Sequence, residues 1–129
     1  AIRLDPRESR NYYNRGLLYY KLGQYRRAIE DYNEAIRLIP DQSIYFNKEV
    51  SHDTVPMDPL KSNAYYGRGL CYMELDKFEE AGGDFSNAIL IHPQYSQAYY
   101  QRRLANQGMG RNAAADSDFK TAEELGDPQ

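Results

Sequence analysis

Cysteine and histidine are the side chains best suited to nucleophilic or metal chemistry near neutral pH, and the sequence holds Cys71, His52 and His92. His52 lies 19 residues before Cys71 and His92 lies 21 after it, which matches no zinc-ligand spacing. Catalysis by nucleophile, base and orienting group needs three side chains to converge, and nothing here forces them together. Cys71 precedes Tyr72 on an apolar stretch of helical period and reads as a buried structural thiol. Gly67-Arg68-Gly69 and Gly108-Met109-Gly110 look superficially like phosphate loops. Neither follows a strand and no Gly-Lys-Ser/Thr completes a P-loop. The residues point away from an enzyme, and neither a metal nor a cofactor is expected.

The elements that would carry any other chemistry are set by 129 residues with a formal net charge of −3, enough for one domain of ordinary size. A single cysteine forbids an internal disulfide, so cohesion must come from an apolar core. No apolar run approaches the roughly 20 residues that span a bilayer, and no basic-then-apolar leader opens the chain, so membrane insertion is not expected and the cytoplasm is the default placement. A slightly acidic balance gives no pull toward nucleic acid, and Arg10, Arg15, Arg26 and Arg27 form no continuous basic face. Tyrosine is the outlier, with 13 residues against 4 Phe and no Trp.

The tyrosines repeat. Asn11-Tyr12-Tyr13-Asn14-Arg15-Gly16-Leu17 recurs as Ala64-Tyr65-Tyr66-Gly67-Arg68-Gly69-Leu70, and more faintly as Ala98-Tyr99-Tyr100-Gln101-Arg102-Arg103-Leu104. The second spacing is 34 residues and the first is 53, or 34 + 19, so a 19-residue insertion separates the first two units. Ala35-Ile36-Arg37-Leu38-Ile39-Pro40 matches Ala88-Ile89-Leu90-Ile91-His92-Pro93, and Ala1 to Pro6 repeats the same ending. Within each unit, two stretches of about 14 residues carry apolar residues at helical spacing, which predicts paired amphipathic helices. Ser9, Ser62 and Ser96 stand where a hydroxyl could cap the first helix, and Gly23, Asp76 and Gly110 stand where the chain must turn.

This pattern resembles the tetratricopeptide repeat family, whose 34-residue helix-turn-helix unit carries W-x2-L-G-x2-Y, then A-x3-F, then P. With each unit numbered from its serine, residues 9–42 place Tyr12, Arg15, Gly16, Tyr19, Ala28, Tyr32, Ala35 and Pro40 on that motif. Residues 62–95 place Tyr65, Arg68, Gly69, Tyr72, Ala81, Phe85, Ala88 and Pro93 there. Residues 96–129 keep Tyr99, Ala115, Phe119 and Ala122 but set Arg103 at the glycine and Asn106 at the second tyrosine. The resemblance implies an all-α, right-handed α-solenoid forming one domain over 1–129: the end of a preceding repeat (1–8), repeat 1 (9–42), an insertion loop (43–61), repeat 2 (62–95) and a degenerate repeat 3 (96–129). Small residues at Gly16, Ala28, Gly69 and Ala81 let paired helices approach; Arg103 predicts a splayed last hairpin or a polar cap.

The family implies a protein-interaction module, a scaffold or adaptor without catalysis, that binds a peptide or helix of a protein partner in a concave groove. Carried over by place, the lining is Arg10, Tyr13, Asn14, Leu17 and Tyr20; then Asn63, Tyr66, Leu70 and Met73; then Gln97, Tyr100, Gln101 and Leu104. The family's chaperone-tail mode uses Lys and Asn on the first repeat, Asn on the second, and Lys and Arg on the third. Tyr13, Leu17, Gly67, Gln97 and Gln101 hold those places, so a terminal carboxylate is not the expected ligand. The other class is a structural unit that homo-oligomerises through uncapped repeat ends, since Ala1 to Leu4 and the helix around Ala115, Phe119, Ala122 and Leu125 carry apolar residues at helical spacing. Residues 1–42 hold eight Lys/Arg and six Asp/Glu while 62–129 hold six and ten, which adds a head-to-tail attraction.

Two places break the pattern. The insertion, with Ile44-Tyr45-Phe46, Pro56 and Pro59, reads as a loop, either a tolerated lengthening or a segment whose bulky residues pack on the array or a partner. Gly82-Gly83 lies inside a predicted helix, where each glycine costs about 1 kcal/mol against alanine. Either another backbone approaches closely or the packed array tolerates the pair.

Overall fold

The computed structural model describes residues 6–39 and 59–126, and every regular element among them is an α-helix. The six helices are α1 (Pro6–Lys21), α2 (Tyr25–Leu38), α3 (Pro59–Glu74), α4 (Phe78–Ile91), α5 (Ser96–Gly108) and α6 (Asn112–Glu124). They pair as hairpins α1–α2, α3–α4 and α5–α6, and successive hairpins stack through α2 on α3 and α4 on α5. The first helices α1, α3 and α5 also meet side by side, so the chain is an all-α helical-repeat solenoid.

Each hairpin turns where the sequence placed its punctuation. Gly23 and Gly110 have φ of +78° and +76°, and Asp76 reaches +59° without being glycine. The following amide then reaches back to the same helix: Gln24 N donates to Tyr19 O at 2.9 Å, and Lys77 N to Tyr72 O and Arg111 N to Asn106 O at 2.8 Å.

The serines do not cap the helices. α1 and α3 begin three residues earlier, at Pro6 and Pro59, because proline's fixed φ suits a first helical position where its missing N–H is no loss. Ser9 and Ser62 are thereby buried inside the helices, and Ser62 Oγ donates to Ala88 O at 3.1 Å. Ser96 does start α5, but no side chain caps that helix. Pro59, Leu60 and Lys61, read as the end of the insertion, are helical, and Lys61 Nζ donates to Ile39 O at 3.2 Å. Ile44, Tyr45 and Phe46 lie outside the described residues, as do Ala1 to Leu4.

The core is a line of small residues with one large ring per hairpin. Ala28, Tyr32, Ala35, Ala64 and Cys71 form one buried cluster, and Ala81, Phe85 and Ala105 another. A Cβ at Gly16 would meet the Tyr32 ring at 3.0 Å and one at Gly69 the Phe85 ring at 2.6 Å, so these glycines are where the ring of α2 or α4 enters the first helix. The third hairpin, with Arg103 at that place, is closed rather than splayed. The guanidinium lies 4.2 Å above the Phe119 ring and supplies the contact that glycine's absence would otherwise deny.

Of the two readings of the array's end, an apolar stacking face and a polar cap, the outer face of α6 follows the second. Between hairpins, Tyr25, Ile29 and Ile36 of α2 pack on the cluster to which Ala64 and Cys71 of α3 belong, and Phe78, Gly82 and Phe85 of α4 meet Gly108, Met109 and Ala105 of α5. On α6 the places of Tyr25 and Phe78 and of Ile29 and Gly82 hold Asn112 and Asp116, and those of Asn33 and Ser86 and of Ile36 and Ile89 hold Lys120 and Glu123, all exposed. Ala115 and Ala122 are buried, and Phe119 lies under Arg103. The apolar period of α6 is thus spent inside its own hairpin, and its outer face is polar.

Candidate functional site

Three hairpins share one polar device that fixes how the first helices lie. Arg15 Nε and Nη2 donate to Asp31 at 2.7 and 2.8 Å, a two-pronged pair that spaces α1 from α2. Arg68 repeats it on Asp84 at 2.9 and 2.7 Å, and Arg102 on Asp118 at 2.9 and 2.7 Å. The remaining Nη1 then crosses to the hairpin before: Arg68 donates to Asn33 Oδ1 at 2.7 Å and Arg102 to Ser86 Oγ at 3.0 Å. A tyrosine ring one turn earlier lies under each guanidinium, Tyr12, Tyr65 and Tyr99. Burial pushes the Asp84 carboxyl up while Arg68 pulls it down. Each arginine joins both helices of its own hairpin, and Arg68 and Arg102 also grip the preceding one.

So positioned, α1, α3 and α5 present the groove residues, with the tyrosine row unevenly buried. The Tyr13 ring lies 5.8 Å from Tyr32 and the Tyr66 ring 5.7 Å from Phe85, each half-buried against the ring of its own second helix. Burial raises the Tyr13 phenol above its ordinary value. Tyr100 is exposed, at 39%, with Arg103 at 5.6 Å. Leu70 and Met73 are half-buried against Phe85 and Ala105 and serve packing between hairpins. Tyr20 packs on the first cluster, its ring 5.6 Å from Tyr25. Leu17, Leu104 and Gln101 are half-buried, whereas Arg10, Asn14 and Gln97 are exposed and form a polar edge.

Two aromatic residues from the turn before α5 join the row. Tyr95 stacks on Tyr66 with ring centres 4.9 Å apart, and its hydroxyl donates to Asn63 Oδ1 at 3.0 Å. His92 lies 5.3 Å from Tyr95. Burial raises the Tyr95 phenol, and the phenols of Tyr66 and Tyr13 act in the same direction. Asn63 is thus engaged within the protein. The signal for Tyr95 was available: it is the only aromatic residue immediately before an opening serine.

The Cys71 thiol is not placed for bond-making. Cys71 is fully buried and its thiol is pushed up to about 12 by burial, helped by Asp84 and Glu74. Among the described residues no three His, Cys, Asp or Glu side chains gather as a metal would require. No helix there is long and apolar enough to cross a membrane. Two clefts lie off the groove rows, one of about 290 Å³ beside Glu8, Asn11, Tyr12 and Arg15, the other of about 510 Å³ beside Gln24, Tyr25, Arg26, Arg27 and Leu75.

The tetratricopeptide repeat family model matches residues 10–42 and 62–95, the first two hairpins with their Arg–Asp pairs. This chain belongs to the tetratricopeptide repeat family. Human serine/threonine-protein phosphatase 5 is 30% identical over 103 residues, which is 80% of this chain but 17% of that protein's length. The solved second tetratricopeptide domain of Spaghetti (RPAP3) bound to the HSP90 peptide SRMEEVD is 28% identical, with a TM-score of 0.74 over 93% of this chain and 88% of that one. The second tetratricopeptide domain of human RPAP3 in complex with the HSP70 peptide SGPTIEEVD is 27% identical, with a TM-score of 0.77 over 97% and 89%. Both of these solved neighbours are tetratricopeptide domains that hold a peptide of another protein.

Proposed function

We propose that this tetratricopeptide domain is a non-catalytic scaffold or adaptor that holds an apolar, aromatic-bearing segment of a partner protein in the groove along α1, α3 and α5. The observation that carries the reading is the row Tyr13, Tyr66, Tyr95 and Tyr100, whose rings offer large area at little entropic cost beside the exposed edge of Arg10, Asn14 and Gln97. The neighbours' peptides end in an acidic run, and their mode in the family needs cations. The corresponding places in this chain are Tyr13, Leu17, Gly67, Gln97 and Gln101, so the ligand class differs although the shape of the module is shared. Stacking of copies end to end is not part of the reading, because the outer face of α6 offers Asn112, Asp116, Lys120 and Glu123.

Peptides selected from a random display library on the purified chain test the proposal, with SRMEEVD as the comparison ligand. Selected peptides rich in aromatic and aliphatic residues should lose tenfold or more in affinity on Tyr100→Glu and on Asn14→Glu, both at exposed places that leave the core untouched; tenfold corresponds to about 1.4 kcal/mol. Selected peptides indifferent to both substitutions, or SRMEEVD bound as tightly as they are, would refute it.

A further inference from the structure

In the first two hairpins, where Gly16 and Gly69 hold no side chain, the groove tyrosine packs directly on the ring of its own second helix: Tyr13 on Tyr32 at 5.8 Å and Tyr66 on Phe85 at 5.7 Å. In the third hairpin a guanidinium meets both rings instead. Arg103 stands at the glycine's place, 4.2 Å from the centre of the Phe119 ring and 5.6 Å from that of Tyr100. Tyr13 and Tyr66 are half-buried, whereas Tyr100 is displaced outward and exposed. Contact with aromatic rings stabilises the charge of a guanidinium but satisfies none of the N–H groups at its edge. Four other arginines spend that edge inside the protein, Arg15 on Asp31, Arg37 on Glu34, Arg68 on Asp84 and Arg102 on Asp118. Arg103 is half-buried as well, yet among the described residues no oxygen accepts from it.

We infer that Arg103 is a specificity-determining cation of the groove, taking the side-chain carboxylate of one Asp or Glu in the partner segment at the α5 end of the tyrosine row. The inference rests on the groove reading above and adds a charge and an orientation to it: the acidic residue of the segment lies over α5, and its aromatic residues lie toward α3 and α1. The planar edge of a guanidinium matches a carboxylate with two parallel hydrogen bonds. One positive charge also matches one carboxylate, since the other cation of α5, Arg102, is already committed to Asp118; a phosphate dianion would keep a charge uncompensated. Arg10 and Lys21 of α1 stand exposed, where an ion pair in water is worth little. Arg103 is instead shielded by two rings, so its fork is already ordered before the ligand arrives. It is not part of the family's chaperone-tail clamp, whose places on α5 hold the neutral Gln97 and Gln101.

The test is a cycle between chain and peptide. Peptides selected from a random display library on the intact chain should share one Asp or Glu at a fixed spacing from an aromatic residue. Changing that acid to Asn or Gln should weaken binding roughly tenfold or more on the intact chain, and by less than about threefold on Arg103→Met, whose thioether still covers the Phe119 ring. Arg103→Lys, charged but without the fork, should fall between the two, and the difference on the intact chain should shrink in high salt. The peptide arm needs no variant of the chain: an acid-to-amide change that costs nothing on the intact chain overturns the inference whether or not Arg103→Met folds. An equal cost on the intact chain and on a folded Arg103→Met also overturns it, and assigns the carboxylate to Arg10 or Lys21. Selected peptides that carry no acid yet lose affinity on Tyr100→Glu and Asn14→Glu would refute the inference and leave the groove reading standing, whereas peptides indifferent to both of those substitutions would take both down.

Discussion

A Cβ placed on Gly67 would lie 2.6 Å from Cζ of Tyr32, and that ring also closes to 3.0 Å of where a Gly16 Cβ would be. Tyr32 is therefore pinched between the first helices of two successive hairpins, with its ring fully buried. Gly67→Ala should destabilise the chain by roughly 1 to 3 kcal/mol through overpacking, because the ring has α1 behind it and nowhere to retreat. Gly67→Ala combined with Tyr32→Phe should recover part of the loss, since Tyr32 Oη is among the three nearest atoms, at 2.9 Å. Denaturant midpoints of the two variants decide it, and a neutral Gly67→Ala would remove the pinch from the account.

How much of this was legible beforehand differs by feature. The hairpins were, because apolar spacing of 3.6 residues and positive-φ punctuation at Gly23, Asp76 and Gly110 are local signals. Gly67 was read only as an uncharged residue at a clamp place, since from sequence a glycine there looks like open space, whereas the Tyr32 ring arrives from another hairpin. The arginine ion pairs were overlooked although the spacing of 16 from Arg15 to Asp31, Arg68 to Asp84 and Arg102 to Asp118 repeats in every unit. Period-3.6 patterning draws attention to apolar residues, and a polar pair across a hairpin leaves no periodicity. The stripe of Ala115, Phe119 and Ala122 was read as an open end for the converse reason: it is periodic, but it faces inward.

The glycine pair of α4 resolves into two different cases. Gly82 is buried with Met109 Cε 3.7 Å and Ala105 Cβ 4.0 Å from where its Cβ would be, which is ordinary contact, and nothing among the described residues comes within 4 Å at Gly83. No described backbone presses on either. Gly83→Ala should stabilise by about 1 kcal/mol through helix propensity alone, and Gly82→Ala by a similar amount with slightly better packing. Thermal melts of both variants check this; a loss at Gly83 would reveal a close neighbour.

The ion pairs make a graded series. Asp84 and Asp31 are both nearly buried, but Arg68 is shielded and tied to Asn33 while Arg15 stands largely in water. Arg68→Ala should cost about 3 to 5 kcal/mol by leaving Asp84 buried without its partner, and Arg15→Ala distinctly less. Replacing the pair together, as Arg68→Leu with Asp84→Leu, should restore most of the Arg68 loss, because two apolar side chains carry no desolvation cost. Equal losses at Arg15 and Arg68 in urea titrations would contradict the view that Arg68 also locks the hairpins to each other.

Alkaline pH should weaken the fold, and its first step should belong to Cys71. In the unfolded chain this thiol releases its proton near pH 9, whereas in the folded chain burial pushes it up to about 12. Below pH 9 both states hold the proton and stability is unaffected. Above it the folded state binds one proton more, so stability falls by about 1.4 kcal/mol per pH unit until pH approaches 12. The phenols of Tyr13, Tyr20, Tyr32 and Tyr95, all raised by burial, join from about pH 10 and steepen the fall. Cys71→Ala should therefore flatten the interval from pH 9 to 10, at the expense of a small cavity whose cost is the same at every pH, and leave the steeper loss above pH 10 in place. Guanidinium midpoints for both proteins at pH 8, 9, 9.5, 10 and 10.5 measure this directly, and an unchanged slope between pH 9 and 10 in Cys71→Ala would show that the thiol is not the group being titrated.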